Sequence, residues 1–321
     1  MPSRPGRLPR LRRARGTGRK SEFLIASWPL FAVLGSAFVY TIAALCAKRA
    51  LVAGATVWQV NFAANMSMAV LYLPFWLGAD LPKLLTEGFK PILAAGTFFV
   101  GQLFTFAALR KGDVSVATPL LGAKVIFVAF LTGFLFAEPV GVKWWLAAVV
   151  CTCGIFLVTG SQRRTEGWTR HSGSTAIYSL TAAIAYALTD TLFQHWSVEV
   201  GVVSFVAVMF SFTGILTCAL YLPAVGLRRL AIPPSAARKT LLLGALLLAA
   251  QNLVVALALR FSGDATAVNI VYSSRCVLSV VLAWATARWL GSREATLPRT
   301  VLLLRLAGAL LLAAAILMVL L

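Results

Sequence analysis

Ala108-Leu109-Arg110-Lys111-Gly112-Asp113 closes one apolar stretch of the chain, and Ala258-Leu259-Arg260-Phe261-Ser262-Gly263-Asp264 closes another about 150 residues later. The match extends outward from both copies in the same order. At an offset of 151, Lys124 falls opposite Arg275. Gln102 lies opposite Asn252, Gly154 corresponds to Gly308, and Tyr40-x7-Lys48 parallels Tyr186-x7-Gln194. A self-match of this kind marks a duplicated architecture, here two halves of similar length.

What each half is made of follows from hydropathy. The 321 residues are 60% hydrophobic and 12% charged, far from the soluble norm of about half apolar and a quarter charged. Apolar runs of roughly twenty residues, the length a hydrocarbon core demands of a helix, recur from Trp28 onward. They predict helices over 28–47, 57–77, 91–110, 114–136, 143–160, 174–194, 202–225, 240–260, 265–287 and 301–321. Trp28, Trp58, Trp76, Trp144, Trp145, Trp196 and Trp289 fall near their ends, as an interfacial aromatic belt would. The expected fold is an all-α integral membrane protein of ten transmembrane helices in two five-helix repeats. An odd number of helices per repeat sends the second into the bilayer upside down, giving an inverted-topology repeat, the architecture of secondary transporters. The organisation is then a basic tail over 1–27, repeats over 28–160 and 174–321, and a linker over 161–173.

A formal charge of +19 raises the question of nucleic acid, but no basic helix interleaved with stacking aromatics is present and no nucleic-acid partner is expected. Eight of the bases (Arg4, Arg7, Arg10, Arg12, Arg13, Arg15, Arg19 and Lys20) crowd the first twenty positions, a juxtamembrane segment attracted to anionic lipid. The first apolar segment is long and lacks a small-residue cleavage site, so it reads as a retained helix. Tail charge places both termini in the cytoplasm of a bacterial inner membrane, although Arg163, Arg164, Arg170, Arg228, Arg229, Arg238, Lys239, Arg293 and Arg299 then lie outside. Cys46, Cys151, Cys153, Cys218 and Cys276 all sit in or beside apolar segments and read as small core residues, with neither disulfide nor metal ligation implied.

No hydrolase, zinc or nucleotide motif occurs, and His171 and His195 read as loop residues. No catalytic residue is expected. Chemistry is carried instead by ionisable groups in mid-segment. Lys124 is about the tenth residue of its run and Arg275 about the eleventh, and a base at the bilayer centre costs on the order of 2.5–3.5 kcal/mol on insertion scales. Asp190 is the only acid well inside a predicted helix, a counter-ion or coupling site for one base. Two readings stay open: the bases converge on an anionic solute, or one of them pairs with Asp190 only to fasten the halves together. Lipid-phosphate binding is a third use of the same pair. Gln102 and Asn252, in matched positions, join Asn269 and Tyr272 as candidate substrate-binding residues. Tyr272 lies one turn from Arg275, in line with Ser279. Asn61, Asn65 and Gln251 are further polar groups at similar depth, and Thr118-Pro119 marks a candidate kink.

With ten predicted helices in inverted halves, and with Ala107-Ala108-Leu109-Arg110 followed by Ala117-Thr118-Pro119 and Glu138-Pro139, the chain resembles the drug/metabolite transporter superfamily, in particular its EamA-type members. The resemblance spans roughly 28–321. It implies a central cavity lined by helices one, three, four, six, eight and nine, and no organic cofactor. EamA-type proteins commonly carry a Glu-Pro pair in the fourth and ninth helices, fourteen residues before a Glu at the helix end. Here Lys124-Val125 takes that place before Glu138. Arg275-Cys276 takes it in the second half, with Glu294 displaced by extra residues around Arg288-Trp289. The organic-phosphate branch of the superfamily likewise uses lysine and arginine on pore helices.

These readings lead to a secondary carrier for a small anionic or zwitterionic metabolite, working by alternating access. An amino-acid or drug exporter with structural bases is the second, and a lipid-handling flippase component the third. The expected partners are a small-molecule substrate, the lipid bilayer and a second copy of the chain in a homodimer.

Overall fold

Helix after helix, with no strand among the described residues, is what a chain must form where no water is available to satisfy backbone N–H and C=O groups. The structure, a computed structural model, describes residues 18–111, 117, 120–136, 141–166, 170–226, 233–285 and 299–320. In order the helices are α1 (Gly18–Val52), α2 (Val57–Leu71), α3 (Leu81–Glu87), α4 (Phe89–Lys111), α5 (Lys124–Phe136), α6 (Val142–Glu166), α7 (Arg170–Val200), α8 (Val202–Val225), α9 (Ser235–Ser262), α10 (Ala265–Tyr272), α11 (Ser274–Ala285) and α12 (Arg299–Leu320). A 3₁₀ turn over Leu73–Gly78 follows α2.

Among the described residues, six helical stretches are long and apolar enough to cross a membrane: Trp28–Val52, Val57–Gly78, Phe89–Lys111, Gly173–Val200, Val202–Pro223 and Ser235–Ser262. Leu120–Phe136, Val142–Leu157 and Leu306–Met318 are shorter apolar helices. The protein is therefore a multi-pass membrane protein. Large apolar side chains such as Val70, Phe134, Ile177, Ile215 and Leu310 are more than half exposed, as a lipid-facing surface requires.

Local signals account for the ends of several helices. Thr56 and Gln59 form a capping box at the start of α2, each side chain accepting from the other's backbone N–H. Gly263 ends α9 in the left-handed conformation, and Asp264 caps α10 by accepting from the Ala267 N–H at 2.9 Å. The repeated Gly-Asp pair is thus a helix stop and start in the second half. Its partner Gly112-Asp113 lies outside the described residues.

Small residues let the helices approach closely, the usual means of packing in lipid. Gly244 of α9 faces Ala43 and Cys46 of α1, Gly214 of α8 faces Ala69 of α2, Gly101 of α4 faces the Tyr186 ring of α7, and Gly154 of α6 faces the Gly308 carbonyl of α12. The main partnerships are α1 with α9, α4 with α7, and α6 with α12. Lesser ones join α2 with α9, α4 with α8, α2 with α8, α5 with α7, and α1 with α10 and α11.

Several sequence expectations are corrected. The segment 57–77 is an α-helix only to Leu71 and then tightens into the 3₁₀ turn, and the unforeseen α3 follows. The runs 114–136 and 265–287 are not single helices: the first breaks at Ala123 and the second at Ser273. His195 lies in α7, stacked on Phe136 with centroids 3.5 Å apart, because that helix runs six residues past its apolar segment. His171 is likewise in α7 by backbone. The tail to residue 17, Thr118-Pro119, Glu138-Pro139, Arg288-Trp289 and Glu294 lie outside the described residues.

Candidate functional site

Two helix breaks build the site. At the first, the Ala123 N–H bonds to the Leu120 carbonyl and the Ile126 N–H to the Ala123 carbonyl, a tightened i to i−3 pattern, and Lys124 is the first residue beyond. Gly122, a weak helix former, sits beside it. At the second, the Ser273 N–H is shared between the Asn269 and Ile270 carbonyls, its hydroxyl bonds back to Asn269 at 2.8 Å, and Arg275 follows two residues later. Such back-bonding bends helices. Each break carries its base into the protein interior, Lys124 to 5% exposure and Arg275 to 4%.

Both bases line one buried cavity of about 50 Å³, together with Tyr40, Gln102, Tyr186, Asp190, Gln251, Asn252 and Tyr272. Lys124 Nζ donates to Asp190 Oδ2 at 2.7 Å, and the same oxygen accepts from Asn269 Nδ2 at 2.8 Å. The ammonium also lies 5.8 Å from the Tyr186 ring centre and 5.5 Å from that of Tyr272. The Arg275 guanidinium is held between Tyr40 at 4.6 Å and Tyr272 at 4.4 Å, and donates to the Leu121 carbonyl at 3.4 Å. Tyrosine faces carry the negative part of the ring quadrupole, so they hold cations without discharging them. Two bases and one carboxylate therefore stand together among the described residues of its wall.

A neutral polar strip completes the wall. Gln102 of α4 and Asn252 of α9 both point amide N–H groups at the Met68 sulfur, at 3.8 and 3.2 Å. Gln251 Oε1 accepts from the Tyr272 hydroxyl at 2.8 Å and from Ser36 at 3.2 Å, while its Nε2 donates to Asn252 at 2.8 Å. The Gln102 carbonyl oxygen is buried with no partner among the described residues, an acceptor open to a ligand or water.

Of the seven residues singled out from sequence, Lys124, Arg275, Gln102, Asn252, Tyr272 and Asp190 stand on this cavity, and Asn269 is one hydrogen bond behind it. Asn61 and Asn65 are elsewhere. Asn65 donates to Asn61 at 2.7 Å and to Thr217 at 2.8 Å, and Tyr221 donates to Asn61 at 2.9 Å, a network between α2 and α8. Sequence reasoning missed Tyr40 and Tyr186 as site residues. Their equivalence across the two halves was the available signal. Their neighbours in the same motif, Lys48 and Gln194, fasten helix ends: Lys48 donates to the Leu109 carbonyl at 3.1 Å, and Gln194 donates to Gly263 at 2.9 Å and accepts from the Ala265 N–H at 2.7 Å.

Comparison with known proteins bears on the family and the fold. Residues 27–160 match the EamA-like transporter family. A transporter of Archaeoglobus fulgidus, itself uncharacterized, is 26% identical over 135 residues, covering 41% of this chain and 46% of its own length. A protein of Pseudomonas fluorescens named as a probable 4-amino-4-deoxy-L-arabinose-phosphoundecaprenol flippase subunit, ArnE, is 31% identical over 85 residues, 26% of this chain and 74% of its own. The match to the ArnE protein of Pseudomonas syringae pv. syringae covers 59% of that protein, so the chain spans about half the length of the first of these relatives. One solved crystal structure superposes with a TM-score of 0.64 at 15% identity, over 91% of this chain and 96% of the other, which shows a shared fold. Multi-pass, all-helical, and matched in its first half by that family, the chain belongs to the EamA-like transporters of the drug/metabolite transporter superfamily.

Proposed function

We propose that the chain is a secondary carrier that moves a small anionic or zwitterionic metabolite by alternating access between two inverted five-helix repeats, 28–160 and 174–321. The observation that carries this reading is the meeting of Lys124 and Arg275, from matched positions, on one buried cavity. A cavity of about 50 Å³ has room for a few waters. The reading takes it as an occluded state, which widens as one repeat rocks against the other.

The packing supports the inverted repeat. Exchanging the halves turns the α1–α9 partnership into α7–α4, α2–α9 into α8–α4, and α5–α7 into the pairing of α10 and α11 with α1, while α6–α12 and α2–α8 map onto themselves. The reading places the protein in a bacterial inner membrane, with the tail over 1–27 in the cytoplasm and residues 161–173 as linker.

The test is counterflow in proteoliposomes with phosphate, sulfate, succinate and glutamate as probes. Arg grips an oxyanion with two parallel hydrogen bonds and Lys with a point charge, so they are not interchangeable. Arg275→Lys and Lys124→Gln should each weaken the accepted anion about ten- to a hundredfold, since a charge-assisted contact contributes roughly 1.5–3 kcal/mol. Folded variants with unchanged affinity would leave the bases as structural fasteners and favour an amino-acid or drug exporter.

The ArnE likeness favours a second reading, a component that moves a lipid-linked sugar phosphate. Against it stands the apolar groove of about 740 Å³ between α2 and α8, lined by Met66, Val70, Gly214, Ile215 and Leu222, which contains neither base. Among its described lining residues there is no cation to meet the phosphate of a lipid seated there. Lipid-linked phosphate that displaces the soluble probes would reverse this preference.

A further inference from the structure

Lys124 already holds an anion, the carboxylate of Asp190. The carboxylate sits 2.7 Å from Nζ, the Tyr186 and Tyr272 rings cover two other sides, and both partners of the ion pair are at least nine-tenths buried. The two facts together describe a binding site already filled by an anion of the chain's own.

We infer that Asp190 is an internal counter-anion which the substrate displaces from Lys124, taking up a proton as it leaves. This deepens the proposed anion carrier and rests on it. The step balances. The Nζ–H···Oδ2 bond of the ion pair breaks, the arriving anion accepts from the ammonium in its place, and one proton from the aqueous side forms an O–H bond on the Asp190 carboxyl. With a monoanion the buried charge is the same before and after.

Physical reasons favour this path over one in which Asp190 stays ionised. A buried carboxylate stripped of its cation retains only the Asn269 amide at 2.8 Å, and isolated buried charges are costly enough that such groups neutralise instead. A second anion beside it would also be repelled. The charged and titratable groups facing Asp190 are Lys124 from α5, Tyr272 from α10, Arg275 from α11, Tyr40 from α1 and Tyr186 from its own α7. From α4 and α9 come the uncharged Gln102, Gln251 and Asn252, and from α8 the apolar Met209 and Phe210. Of the groups named Asp190 is the carboxylate, and a proton on it neutralises the charge that loses its cation while leaving the Lys124 ammonium to hold the substrate.

The same device bears on transport mode. An empty carrier with its pair closed has no uncompensated Lys124 to move across the membrane, so it can return unloaded and sustain net flux. Without Asp190 the unloaded form buries a bare ammonium, and only the loaded form crosses easily.

Sulfate is a suitable probe because its own charge is fixed near neutral pH. In the wild-type protein its apparent dissociation constant should rise about tenfold per pH unit, one proton being bound with each anion, so affinity falls as pH rises. In Asp190→Asn sulfate should bind more tightly, without that slope, and the reconstituted variant should exchange sulfate in counterflow while losing net uptake. Asp190→Ser, smaller and neutral, serves if the Asn variant does not fold, with the same expectation. Sulfate binding that is independent of pH in the wild type, or a slope that persists in the variants, overturns the inference and leaves the anion carrier intact. Failure of phosphate, sulfate, succinate and glutamate to bind either protein removes the anion carrier and this inference with it.

Discussion

Lys124 and Asp190 form a buried ion pair among the described residues. Both side chains are nearly out of reach of solvent, and their bond joins α5 to α7. A buried pair contributes little net stability over an apolar pair of the same size, yet deleting one partner is expensive because the other is left charged and alone. Asp190→Asn should therefore lose roughly 3–5 kcal/mol, and adding Lys124→Gln to it should recover much of the loss. Thermal melting of the purified single and double variants in detergent reads this directly. Equal melting temperatures for the two would mean that Lys124 finds another partner once Asp190 is gone. Arg275 is held differently, by two tyrosine faces and a carbonyl, and its planar guanidinium matches oxyanion geometry in a way that the Lys124 ammonium does not.

At the scale of elements, the interrupted helices and the close crossings do opposite jobs. The breaks at Ala123 and Ser273 bring bases and backbone to the cavity, and local 3₁₀ stretches of this kind often mark hinges. The α6–α12 crossing is tight: a Cβ on Gly154 would meet the Gly308 carbonyl at 2.8 Å and Leu311 and Leu312 at 3.1 Å. Backbone on the far side cannot yield as a flexible side chain can. Gly154→Val should lose about 1–3 kcal/mol by forcing the helices apart, seen as a lowered melting temperature. Gly96→Val is the control, because a Cβ there has nothing within 4 Å. Matching losses at the two positions would show that valine itself, and not the crossing, is responsible.

For the whole molecule, the prediction of greatest reach concerns which way it sits. On the proposed inverted repeat an even number of crossings puts both termini on one side, and the proposal takes that side to be the cytoplasm because of the basic tail. Fusions of a phosphatase active only outside the cytoplasm and of a fluorescent protein active only inside, each joined at Leu321, should give activity for the second alone. Phosphatase activity would turn the carrier over and exchange the sides fastened by Lys48 and Gln194.

Membrane location and helical class were determined by the sequence alone, because in hydrocarbon the backbone has few choices and twenty apolar residues write a helix in hydropathy. The repeated Ala-Leu-Arg and Gly-Asp pattern likewise exposed the matched positions of Lys124 and Arg275, of Gln102 and Asn252, and of Tyr40 and Tyr186. Which of these matter to the cavity was not legible. Tyr40 and Tyr186 are ordinary apolar-segment residues until α1, α7 and α10 are packed, and Asn61 looked no different from Gln102 until its hydrogen bonds were seen to run between α2 and α8. The breaks at Ala123 and Ser273 were hidden too, since the apolar run continues through them and hydropathy reports burial, not hydrogen-bond register. Only the tertiary structure decided that Asp190 pairs with Lys124 and not with Arg275. That choice depends on ångström distances between three helices far apart in sequence, set by packing that no local pattern encodes.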